Sequence, residues 1–181
     1  METAAPPSLL ATVNCYHKYL QELLLLQQEA LLERDIGLAL GFWQLHRQML
    51  QLHIHLEEEL LLPALEQAVD NPSWSADIYR AEHAKVLELG EKLGHLLMAY
   101  SETGLQRRVV ITLLDKQRSY KNLLEHHEER EENALLPELD EVLNASQLIR
   151  VNSVCAESWQ VLYQQQLPLV SRLTGQLDNY Q

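Results

Sequence analysis

His53-Ile54-His55-Leu56-Glu57-Glu58-Glu59-Leu60-Leu61-Leu62-Pro63-Ala64-Leu65 is one of two stretches written to the same plan. The other is His127-Glu128-Glu129-Arg130-Glu131-Glu132-Asn133-Ala134-Leu135-Leu136-Pro137-Glu138-Leu139. Histidine, glutamate and proline recur at one offset of 74 residues. On an α-helix, residues four apart lie one turn apart on the same face. Each copy therefore aims an imidazole and a carboxylate at one place, and two such faces brought together make a metal site. With 26 acidic residues in 181, an acid four places after a histidine turns up about one time in seven by composition. One copy is unremarkable; two copies with the same leucine-proline sequel are not.

The rest of the composition fits long helices. The chain of 181 residues is enough for one domain with a core. Leucine is abundant, there are only 6 Gly, 6 Pro and 1 Phe, and runs of Val, Ile and Thr alternating with polar residues are missing. That predicts an all-α protein. A net charge of −12 argues against nucleic acid or an anionic membrane as partner. Cys15 and Cys155 stand in no Cys-x-x-Cys or zinc-type spacing, so no disulfide framework is expected and both read as small buried residues. The N-terminus lacks the basic-then-apolar layout of a signal peptide, and no apolar run approaches a membrane span. A cytoplasmic protein follows as the expectation, in which the sequon Asn144-Ala145-Ser146 carries no sugar.

Residues 1–8 read as a disordered lead-in, with Ser8 itself placed to cap a first helix running to about Arg34. A break within Asp35–Gly41 leads to a second helix ending near Val69. Asp70-Asn71-Pro72-Ser73 reads as a turn, with Ser73 as cap of the third helix. That helix ends near 101–104, and the fourth spans about Leu105 to Leu143. Residues 9–144 thus form four long helices joined by short loops, which predicts an up-down-up-down four-helix bundle. Residues 145–181 add a C-terminal helix, with Leu148, Val151, Cys155, Trp159 and Leu162 at helical spacing. It is expected to pack across the bundle or to form a dimer interface, and Pro168 should kink or end it. Pro63 and Pro137 should each mark a kink or an approaching terminus.

The two halves of the chain are alike beyond the motif. Helices one and two carry His17, then His53 and Glu57; helices three and four carry His83, then His127 and Glu131. Each of these lies on the apolar stripe of its helix, where a polar group must be satisfied or be costly. Imidazole with bridging carboxylate suits divalent iron, manganese or zinc. If Glu57 and Glu131 both bridge, the six side chains fill eight positions on two metals, leaving open positions on octahedral ions. Six convergent donors are many for one ion. His46 and Tyr120, equivalent under the repeat, face inward two turns away. They either pack the core or donate or accept a proton near the centre. Glu58 and Glu132, about 100° from the bridges, are placed to pair with a charge or to orient a ligand imidazole. His55, His95 and His126 point off the stripes towards solvent. Gly90 and Gly94 predict close helix approach.

Taken together, these motifs resemble the hemerythrin-like family, the HHE cation-binding domains. The resemblance rests on His53…Glu57-Glu58…Leu61-Leu62-Pro63, on Glu82-His83, and on His126-His127…Glu131…Leu136-Pro137, over about residues 10–143. It implies a non-haem di-iron centre in a four-helix bundle, with His17, His53, His83 and His127 as terminal ligands and Glu57 and Glu131 as bridges. The oxygen-carrying members have a second histidine four residues after that of helix three, where this chain has Leu87. They also use His-x-x-x-x-Asp on helix four, where this chain has His127-x-x-x-Glu131. One imidazole fewer favours sensing, binding or handling of a small redox ligand (O₂, NO or peroxide) over reversible oxygen carriage. The alternatives are a di-iron oxidase or peroxidase, iron storage or iron sensing. The remaining one is a metal-free helical interaction module, the chain being a monomer or homodimer in each case. Iron is the expected metal, with manganese or zinc as substitutes.

Overall fold

The structure, a computed structural model, describes residues 8–101 and 104–180. Among them there is no strand, and five helical runs account for nearly everything. The expectation of disorder for residues 1–7 lies outside the described residues. Ser8 does not belong to a disordered lead. It caps α1 (Leu9–Leu32), its hydroxyl accepting from the Ala11 N–H at 3.3 Å and donating to Asp140 Oδ2 at 2.7 Å.

The break after α1 is shorter than expected. Arg34 turns the chain with φ 60°, and Asp35 caps α2 (Ile36–Leu56) by accepting from the Leu38 N–H at 2.9 Å. Gly41 therefore sits inside α2. The second run continues as a five-residue π-turn, Glu57–Leu61, into α3 (Leu62–Ala68). α4 spans Ala76–Ala99 and α5 spans Arg107–Arg130. A second π-turn, Glu131–Leu135, leads from α5 into α6 (Leu136–Val142). α7 spans Ala145–Leu177, and a short 3₁₀ turn, Asp178–Tyr180, follows it.

Both prolines of the repeat sit one residue into the helix after a π-turn. In an α-helix Pro63 would leave the Glu59 carbonyl without a donor and crowd it with its ring. The π-turn supplies a wider loop there, with the Leu62 N–H reaching back to the Glu57 carbonyl. The Leu136 N–H does the same to Glu131. The helices run through the prolines and end soon after, at Ala68 and Val142, so each proline does mark an approaching terminus. Such single π-turns are frequent at functional sites, and here each begins on the glutamate of its motif.

Three further expectations need correction. The cap of α4 is Ser75, not Ser73. The Ser73 N–H donates to Glu138 Oε1 at 2.9 Å, and the neighbouring Trp74 lies under the Arg130 guanidinium, 4.6 Å from its ring centre. Pro168 does not end the last helix, since α7 runs unbroken past it. Pro168 and Gln164 are both exposed, so water can serve the freed carbonyl. Gln166 and Leu173 hold α7 to α2 on either side of the ring, through the Leu45 carbonyl and against Gly41. Cys155 is buried but Cys15 is exposed, one position away from the inward Tyr16.

The core is aliphatic with a few large rings, chiefly Phe42, Trp43, Tyr79 and Tyr120. α1 packs on α2, α5 and α6; α4 packs on α5 and α2. α7 lies along α1 and α2, where Tyr16 stacks on Trp159 with ring centres 4.0 Å apart. Asn144 starts α7 with a capping box shared with Gln147. Gly90 and Gly94 do permit close approach. A Cβ at Gly90 would stand 3.2 Å from the Tyr120 ring, and one at Gly94 3.0 Å from Trp43 Nε1. Among the described residues, no helix is long and apolar enough to cross a membrane.

Candidate metal centre

The six proposed ligands converge, although they come from four helical runs. His17, His53, His83, His127 and Glu57 are each 1% exposed and Glu131 is 0%. They form two buried groups that could each hold a metal ion. One is His17, His53, Glu57 and Glu131; the other is His83, His127, Glu57 and Glu131. The two carboxylates belong to both groups, and their oxygens divide between them. Glu57 Oε1 is 3.2 Å from His53 Nε2, and its Oε2 is 3.1 Å from His83 Nε2. Glu131 Oε2 is 3.1 Å from His17 Nε2, and its Oε1 is 2.8 Å from His127 Nε2. This is the arrangement of a carboxylate that bridges.

Four imidazole Nε2 atoms and four carboxylate oxygens of these residues are buried and make no hydrogen bond, being close but misaligned. Buried polar atoms are ordinarily paired, so eight that converge on one place fit a ligand that none of them supplies. The donor set of nitrogen and carboxylate oxygen suits a divalent transition metal.

The outer nitrogens decide which way the lone pairs face. The Nδ1–H of His17 donates to Glu132 Oε1 at 2.9 Å, and that of His83 to Glu58 Oε1 at 2.9 Å. The two contacts are mates under the repeat, as expected for Glu58 and Glu132. The Nδ1–H of His127 donates to Glu82 Oε2 at 3.1 Å, and Glu82 is held in turn by Arg130. With Nδ1 carrying the proton, Nε2 presents its lone pair inward, which is the tautomer a metal requires.

The electrostatics follow from this crowding. Burial by itself lowers the basicity of His17, but the Glu131 carboxylate first, then Glu128 and Glu132, overcome it and bring it up to about 9. His83 is likewise depressed by burial, overcome by Glu131 and Glu57, and ends at about 9. His127 is raised well above its ordinary value by Glu131 and Glu82 against burial. Burial pushes Glu131 up, yet the surrounding imidazoles, His127 first, hold it well below the usual carboxylate range. A cation entering here displaces protons from the histidines.

His46 and Tyr120 contact one another rather than the centre. The Leu20 carbonyl, 2.9 Å from His46 Nδ1, can only accept, so Nδ1 carries the proton. His46 Nε2 therefore accepts from the Tyr120 hydroxyl at 2.7 Å. Complete burial lowers His46 to about 4 and keeps it neutral. His55, His95 and His126 are exposed, as their positions off the stripes predicted.

Two further polar residues belong to the site. Glu82, which the sequence marks only as the neighbour of His83, serves His127. Glu128, which no motif marks, is 2% exposed, and its Oε2 accepts from Gln21 Nε2 at 2.6 Å. Burial raises its carboxyl group, partly offset by His17, Gln21 and His53. The signal for Glu128 was available. It follows a histidine on the inner stripe, where the other copy of the motif has the apolar Ile54.

Comparison with protein-family models, with curated proteins and with solved structures returns no match for this chain. The buried histidines and glutamates form two groups that could each hold a metal ion.

Proposed function

We propose that the chain is a hemerythrin-like protein, an up-down-up-down four-helix bundle with α7 added, whose interior holds two iron ions. We propose further that it binds, senses or handles a small redox ligand such as O₂, NO or peroxide. One observation carries this reading: eight buried donor atoms without hydrogen bonds, divided by two shared carboxylates into two sets of two nitrogens and two oxygens. Bound ions of octahedral preference would supply open coordination positions and a change of oxidation state. The protein's part is to aim the imidazoles through Glu58, Glu82 and Glu132, to offset the cationic charge, and to exclude bulk water with leucines.

Manganese and zinc remain substitutes, because two nitrogens and two oxygens also satisfy tetrahedral zinc. An inward tyrosine free to reach the centre would favour the oxidase reading, but the Tyr120 hydroxyl is committed to His46. The test is elemental analysis of protein expressed with added iron. About two irons per chain is the expected result for a carboxylate-bridged pair. No metal, or a trace mixture indifferent to added iron, would make the motif faces structural and favour a metal-free interaction module. Turnover with a reductant and O₂ or peroxide would move the enzyme reading ahead of the sensor.

A further inference from the structure

Resting on the two-metal reading, we infer that the cleft between α1 and α5 is the path by which a divalent cation reaches the buried ligands, and that Glu128 receives it on the way in. The cleft has a volume of about 420 Å³ and is lined by Gln21, Glu22, Gln28, Lys121, Glu125 and Glu128, among others. Of these, Glu128 is the buried carboxylate. Its Oε2 is engaged by Gln21, and its Oε1 has no hydrogen-bond partner although it is shielded from solvent. An unpartnered carboxylate oxygen beside a cleft is a donor site for a cation.

The position of Glu128 connects the cleft to the centre. Glu128 lies one turn before Glu132 on the same helical run, and Gln21 lies one turn after His17 on α1. The Glu128–Gln21 contact therefore sits one turn beneath the Glu132–His17 contact, next to a ligand imidazole. The opposite side of the chain's internal repeat lacks this pair. The mate of Glu128 is Ile54, which is buried, and the residue four beyond His83 is Leu87. Two apolar side chains suffice to pack that side. A buried carboxylate and an amide in their place are costly for packing alone, and they give one side of the centre a polar way in.

The mouth of the cleft is less selective. Glu22 and Glu125 stand there with Lys18 and Lys121, and Lys121 pairs with Glu125 at 3.8 Å. Long-range attraction of a cation comes from the net charge of −12. Discrimination falls to Glu128, behind a gate of long side chains that exchange rotamers quickly.

The test is rapid mixing of Co²⁺ with the chelator-treated full chain, following the visible absorbance of bound cobalt. Glu128→Gln keeps the size of the side chain and removes its charge. Glu128→Ile copies the residue that the other half already packs at this place, and so keeps the test usable if the first variant folds poorly. Both variants are expected to take up cobalt at least about tenfold more slowly than the unmodified chain, with the same final cobalt per chain and the same helix content. An unchanged rate overturns the inference. A loss of final occupancy overturns it too, by making Glu128 a resident ligand rather than a way station. Failure of the unmodified chain to take up cobalt at all would instead strike the two-metal reading beneath it.

Discussion

The Tyr120 hydroxyl donates to His46 Nε2 at 2.7 Å, and neither side chain reaches solvent. With His46 bonded through its other nitrogen to the Leu20 carbonyl, three helices are tied together about 10 Å along the axis from the proposed ligand histidines. Tyr120→Phe removes one donor and leaves a buried acceptor unpaired. It should cost about 1–3 kcal/mol of stability and leave metal content unchanged. Chemical denaturation and elemental analysis of the same preparation check both halves. A Tyr120→Phe protein that loses its metal would place the tyrosine in the centre after all.

His46 also sets an acid limit. Its folded value is about 4, below the unfolded 6.5, so the folded state resists taking the proton that the unfolded chain accepts. The stability this represents is present above about 6.5 and is lost as pH falls towards 4, on the order of 3 kcal/mol in all. His17 and His83, both raised to about 9, have the opposite sign in the metal-free chain. Their contribution is full below about 6.5 and fades as pH rises through 9. Denaturant titrations of metal-free protein at pH 7 and pH 4.5 should show His46→Gln losing less stability on acidification than the unmodified chain. Equal losses would remove His46 as the cause.

Glu57→Ala and Glu131→Ala should each strip bound metal, since each removes a donor from both sites at once. His55→Ala, on the exposed face, should not. Metal per chain after dialysis reads this directly, and equal retention in all three would dismantle the assignment.

Glu58→Gln and Glu132→Gln should act more gently. Each weakens the acceptor that orients a ligand ring, on His83 and His17 respectively. The expected loss is about 10–100-fold in metal affinity, measured by competition with a chelator, without loss of stoichiometry. Because the two residues are mates under the repeat, their effects should be similar in size.

Gly94→Ala sets two effects against each other. Alanine gains about 1 kcal/mol of helix propensity, but its Cβ would stand 3.0 Å from Trp43 Nε1. Trp43 is 2% exposed and boxed in by His46 and Tyr120, so it has little room to yield. The variant should melt lower than the unmodified protein, and a higher melting temperature would show that Trp43 can move.

The helical class and the inward position of the six proposed ligand residues were legible because each rests on a local rule. A residue's face on a helix follows from its spacing, and a carboxylate four places after a histidine shares that face. What was missed depends on neighbours distant in sequence. Glu82 serves His127 across helices, and Glu128 is buried only because α1 brings Gln21 to it. Ser73 looked like a cap, but its N–H was claimed by Glu138 on another run. Pro168 should have broken α7 by local propensity, and contacts with α2 on either side overrode it. Cys15 followed from composition rather than position, and position was the better guide.

The two π-turns also have a meaning as a phase shift. A π-turn is an α-helix carrying one residue more than its period allows. The leucines before Glu57 keep step with one another, as do those after Leu61, but the two series are out of step by about a quarter of a rotation. The extra residue is what lets a helix that has just turned Glu57 inward also turn Leu62 and Leu65 inward. A chain shortened by one residue within 58–61 would keep His53 and Glu57 one turn apart. It would then have to choose which series faces the core, the ligands or the leucines.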